Sequence, residues 1–98
     1  MTLPVVFHTL AEDELDQAAA FHARAGTGMG DAFLTEVQHA VDILIATPLA
    51  GKVVNRDIRW WVLRRFPYSI LYRVCADHIR ILAIAHHKRQ PFYWRSRQ

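Results

Sequence analysis

This 98-residue chain is short of staples, spans and leaders. Its single cysteine, Cys75, excludes an internal disulfide and fits a reducing compartment. No apolar run approaches the roughly 20 residues that cross a bilayer. The opening MTLPVVFH is too short for a secretion signal and lacks its basic start. A cytoplasmic protein with no membrane partner is therefore expected. Acids are scarce in one place only: after residue 49 there are just two, Asp57 and Asp77.

Apolar residues make up 52% of the chain, enough for a genuine core and too many for wholesale disorder. The length fits one domain, residues 1–98. Residues 1–49 carry seven acids against Arg24, a net −6, whereas residues 50–98 carry eleven bases against two acids, a net +9. A half-chain at +9 repels itself unless a polyanion, an acidic partner or solvent screens it.

Periodicity divides the chain the same way. PVVFH, residues 4–8, reads as a short strand. Thr9 followed by Glu12 forms a capping box, with Asp13 and Glu14 in the first turn where the helix dipole favours acids. A helix over about 10–25 should stop at a left-handed Gly26. A second, about 30–46, places Phe33, Val37, Val41 and Leu44 on one stripe, widened by Leu34 and Ile45, and ends before Pro48. The Gly-rich link between them predicts an antiparallel hairpin. PLAGKVVNRD reads as a loop. IRWWVLRRF, YSILYRV and HIRILAIAHH follow, rich in aromatic and β-branched residues, as a three-stranded meander. The order β-α-α-β-β-β defines an α+β domain with helices packed on one face of an antiparallel sheet.

A two-residue turn at Ala76-Asp77 sets a register for the last hairpin: Cys75 with His78, Val74 with Ile79, Arg73 with Arg80, Tyr72 with Ile81, Leu71 with Leu82 and Ile70 with Ala83. Tyr68, Ile70, Tyr72, Val74, Ile79, Ile81, Ala83 and Ala85 then share a core face. The other face takes Ser69, Leu71, Arg73, Arg80, Leu82, Ile84 and His86. Arg73 beside Arg80 puts like charges across a strand pair, which is unfavourable without an anion.

Familiar cofactor sites are missing. His86 and His87 point to opposite faces of a strand, and the other histidines show no ligand spacing. GTGMGD lacks the lysine of a phosphate loop and follows no strand. No metal and no nucleotide cofactor is expected. What stands out is the ending HHKRQPFYWRSR, in which cations are interleaved with Phe92, Tyr93 and Trp94. Arginine grips phosphate bidentately and aromatic faces stack on unpaired bases. Metal-free RNA scission through the ribose 2′-hydroxyl would need proton transfer, which His87 and Tyr93 can supply, and cations around the phosphorane, such as Lys88 and Arg89.

RRFPYSILYRV…DHIRILAIAHHKRQPFYWRSR resembles the RelE/ParE toxins of bacterial type II toxin–antitoxin and plasmid-stabilisation systems. TPLAG ahead of IRWW and the N-terminal helical hairpin extend the likeness over essentially the whole chain. The resemblance implies the RelE-type microbial RNase fold and a growth-inhibitory toxin neutralised by a cognate acidic antitoxin. One branch of the family inhibits DNA gyrase; another cuts ribosome-bound mRNA with lysines, arginines and a C-terminal Tyr or His. Here Tyr93 takes the C-terminal tyrosine position and Arg89 a basic position before it. His87 stands where cleaving members often have arginine, and Arg59 or Arg64 answers to the central-strand arginine. Lys52 is alone in a loop where active RNases carry several lysines. That scarcity favours ParE-like gyrase inhibition, with RelE-like, metal-independent mRNA cleavage as the alternative. Were the chain an RNase, Tyr93 and His87 would be catalytic. Arg59, Arg64, Arg73, Arg80, Lys88 and Arg89 would bind phosphate, target or antitoxin, gathered with their neighbours into one concave patch away from the helices.

Overall fold

A computed structural model describes residues 2–98. Strand β1 (Val5–Phe7) leads into helix α1 (Thr9–Ala25) and helix α2 (Met29–Ala46). After a 3-10 turn at Pro48–Ala50 come β2 (Lys52–Asn55), β3 (Ile58–Val62), β4 (Tyr68–Val74) and β5 (Ile79–His86). The five strands form one sheet in the order β1-β5-β4-β3-β2. Its β2 to β5 portion is antiparallel, while β1 lies parallel to β5 at the opposite edge. The α+β architecture is as the sequence implied, with one strand more than the expected meander. Lys52–Asn55, read as loop, extends the sheet beyond β3 through a two-residue turn in which Arg56 takes a positive φ of 53°.

The helix signals were placed slightly off. His8, not Thr9, caps α1, its Nδ1 accepting from the Leu10 N–H at 3.0 Å. Gly26 is extended; the left-handed residue is Gly28, φ 78°, at the start of α2. The helices approach closely where a Cβ on Gly30 would sit 2.9 Å from both the Ala19 carbonyl oxygen and the Ala23 Cβ. The α2 stripe of Phe33, Val37, Val41 and Leu44 is buried as expected, but Leu34 stays 40% exposed.

The hairpin register holds for Val74–Ile79, Arg73–Arg80 and Tyr72–Ile81, and then a bulge intervenes. Leu71 pairs with Ala83, Ile70 with Ile84 and Tyr68 with His86. Leu82 is the extra residue, so Leu82 and Ala83 both turn to the face away from the helices, whereas Ile81 and Ile84 both enter the helix-facing core. The bulge corrects the expected faces of Ala83, Ala85, Ile84 and His86: the alanines move to the open face, and Ile84 and His86 move under α1. The main core lies between helices and sheet. On the open face Ile58, Leu71, Leu82, Ala83 and Ala85 are covered by Trp94, which packs the terminal segment onto the sheet.

Candidate functional site

That terminal segment, His87 onward, crosses the open face and leaves a groove of about 600 Å³ between itself and β2–β3. Its floor and walls include Trp60, Val62, Ser69, Leu71, Phe92 and Trp94. Alternation brings Trp60 and Val62 to the same face as Ser69 and Leu71. Trp60, Val62, Val53 and Phe92 remain 40–47% exposed, a concentration of large apolar side chains around one concavity. His87 lies on the wall with its Nε2 3.0 Å from the Ser69 hydroxyl, and the groove's cations are Lys52 and Arg89. Among the described residues no Asp or Glu lines it.

The other cations are elsewhere, and most have internal work. Arg59 donates to the carbonyls of Leu49 and Gly51 at 3.1 and 2.8 Å. Tyr72 completes that clamp: its hydroxyl donates to the Pro48 carbonyl and accepts from the Gly51 N–H. Arg64 sits in the β3–β4 connection, whose backbone is held against α2 as the N–H groups of Arg64 and Arg65 donate to Glu36 Oε2. Arg73 and Arg80 do face each other, but without needing a shared anion. Arg73 bonds Asp57 at 3.0 Å and Arg80 donates to the Gln98 carbonyl oxygen at 3.0 Å. Lys88 is exposed just outside the groove. The expected single cationic patch is therefore not formed; mutual repulsion is relieved by dispersal and by carbonyl or carboxylate partners.

Tyr93 contributes its ring to the groove but not a free hydroxyl. The hydroxyl donates to Glu14 Oε2 at 2.7 Å, and Arg89 stacks over the ring at 3.9 Å. Burial first, and then the Glu14 carboxylate, push its pKa far above the ordinary phenol value. Glu14 also takes a bidentate pair from Arg97 at 2.8 and 3.0 Å and accepts from the Ile84 N–H at 3.1 Å. Arg97 in turn donates to the carbonyl of Leu82, the bulged residue. β1 pairs β5 only as far as Ile81, so Glu14 and Arg97 close the rest of that edge with side chains in place of a strand. The sequence named Tyr93 and counted Glu14 as a helix-start acid. Nothing in it linked residues 79 and 83 positions apart.

His86 falls on the helical side, its ring 4.9 Å from Tyr68. Burial lowers its pKa, and Lys88, His87 and His22 lower it further. Among the described residues no cluster of His, Cys, Asp or Glu could hold a metal, and no helix is long and apolar enough to cross a membrane.

Residues 5–91 match the profile of a family described as the ParE toxin of the type II toxin–antitoxin system parDE. The chain belongs to the ParE toxin family. It is the toxin component of a type II pair, and its protein partner is a cognate antitoxin. Among curated proteins none matches this ParE toxin in sequence. Among solved structures it is similar to a chain of the chromosomal ParDE system from P. aeruginosa, at 23% identity and a TM-score of 0.64, covering 86% of this toxin and 95% of that chain. It is also similar to a chain of the RelBE2 toxin–antitoxin complex from Mycobacterium tuberculosis, at 24% identity and a TM-score of 0.61, covering 88% and 99%. Both likenesses describe the shared fold.

Proposed function

We propose that this toxin arrests growth by binding and inhibiting DNA gyrase, acting in the cytoplasm as one domain over residues 1–98. The observation that carries the reading is the Tyr93 hydroxyl donating to Glu14. Scission of RNA needs one group to take the 2′-hydroxyl proton and another to protonate the leaving oxygen. A phenol that is half-buried, kept neutral and pointed at a carboxylate is poorly suited to either step. His87 then loses the partner expected of it, and Arg59, Arg73 and Arg80, the arginines expected to hold phosphate, are tied into hydrogen bonds within the chain. An apolar groove with a sparse cationic rim suits capture of a protein better than stabilisation of a phosphorane. Membership of the ParE family points the same way.

The alternative is RelE-like mRNA cleavage, favoured by one feature: His87 is exposed on the groove with Arg89 and Lys52 nearby. A supercoiling assay with purified gyrase tests the first reading. Loss of supercoiling at micromolar toxin is expected; full activity there would remove gyrase as the target. Primer extension on mRNA in a translating extract tests the second, and cuts within codons would establish it.

A further inference from the structure

We propose that His86 is an acid-sensitive latch: its neutral imidazole holds the turn that launches the terminal segment, and a proton on that ring frees residues 87–92 of the groove wall while the fold persists. The geometry dictates the protonation state that the turn requires. The Lys88 backbone N–H donates to His86 Nδ1 at 3.0 Å. A backbone N–H can only donate, so Nδ1 must be bare. An imidazolium is a donor at both nitrogens and cannot make this bond. The His86 carbonyl accepts from the Arg89 N–H at 3.0 Å, so this one residue supplies the acceptors for two successive N–H groups.

A proton there would also enter unfavourable surroundings. Tyr68 of β4 meets the ring edge-on, 4.9 Å between centroids. Helix α1 presents His22 and Glu14, and the turn itself presents His87, Lys88 and Arg89. Glu14 is the one carboxylate among these groups, and Arg97, Tyr93 and the Ile84 N–H already occupy its oxygens. Burial first, and then Lys88, His87 and His22, hold the His86 pKa below the ordinary imidazole value. The latch is therefore closed above that value and opens only as the pH falls through the lower value of the folded state.

What the latch controls is one wall of the groove. His87, Arg89, Gln90, Pro91 and Phe92 all line it, and all follow His86 in the chain. Beyond them the segment is anchored independently, by the Tyr93 hydroxyl on Glu14 and by Trp94 buried against the sheet. The movable stretch is thus short, with the latch at one end and these anchors at the other. Within it Phe92 is held at a φ of 61°, a region in which a bulky residue is strained. Releasing the base of the stretch lets that strain relax and re-aims the Phe92 ring. The core between helices and sheet does not draw on this turn and stays packed.

Hydrogen exchange of the full-length toxin at pH 7.5 and 5.0 tests this, read as protection factors so that the intrinsic pH dependence of exchange cancels. In wild type, protection of the Lys88 and Arg89 N–H groups should fall about tenfold at the lower pH, the loss of one hydrogen bond. Amides of β4 should be unchanged. His86→Asn offers a side-chain carbonyl in place of Nδ1 and does not titrate, so it should stay protected at both pH values. His86→Phe keeps a ring against Tyr68 but cannot accept, and should be unprotected at both. Circular dichroism establishes that each variant is folded. Equal protection of wild type at the two pH values would overturn the proposal, as would an acid-induced loss in His86→Asn or full protection in His86→Phe. Loss that spreads to β4 would overturn it too, since the toxin would then be unfolding as a whole.

Discussion

Glu14 holds more of this molecule together than any single arginine. Its carboxylate, 12% exposed, accepts from Arg97, Tyr93 and the Ile84 backbone, and so joins α1, β5 and the terminal segment. Replacing it with alanine leaves Arg97 without its carboxylate in a half-dry setting and should cost about 3 kcal/mol, measured by urea denaturation. Tyr93→Phe removes one bond to that carboxylate and should cost about 1.5 kcal/mol. Gly51 is constrained by space: a Cβ there would lie 2.5 Å from the Tyr72 hydroxyl and 2.7 Å from the Trp60 carbonyl oxygen. Gly51→Ala should therefore destabilise by about 2 kcal/mol, with the Arg59–Tyr72 clamp loosened first. His86 gives a pH dependence. Its pKa is depressed in the fold, so near and below the ordinary 6.5 the unfolded chain binds more protons than the native one. Stability should be full above that pH and fall as the solution is acidified through the folded value. Thermal midpoints at pH 7.5 and 5.5 should differ less in His86→Gln than in wild type.

At the scale of elements, alternation and periodicity made most of the fold legible. The 3.6-residue stripe of Phe33, Val37, Val41 and Leu44 and the aromatic, β-branched strands are where the sequence placed them. Local pattern could not reveal what depends on a partner far along the chain. β2 was hidden because four residues carry little periodicity and become a strand only by pairing with Arg59 and Trp60. The Leu82 bulge was hidden because the stretch is apolar on both faces, so a one-residue slip leaves no mark in composition. Its consequence for the site was large, since it moved Ala85 to the groove wall and His86 beneath α1. The site residues were legible as types: a cationic, aromatic ending was visible, but the Glu14–Arg97 pair and the ties of Arg59, Arg73 and Arg80 were not.

For the whole molecule, the split into an acidic helical half and a basic sheet half did not create one cationic bowl. The basic half neutralises itself against carbonyls, Asp57 and Glu14, and the concavity left on its open face is mainly apolar. A groove of that make-up is suited to seating a partner's surface, as the proposed gyrase reading requires. The most direct measurement is gyrase supercoiling and mRNA integrity, side by side, with the folded His87→Ala, Tyr93→Phe double variant. Undiminished gyrase inhibition, with mRNA intact for both wild type and variant, is the predicted result. Codon-centred mRNA cuts by wild type that vanish in the variant, with gyrase untouched by either, would contradict it.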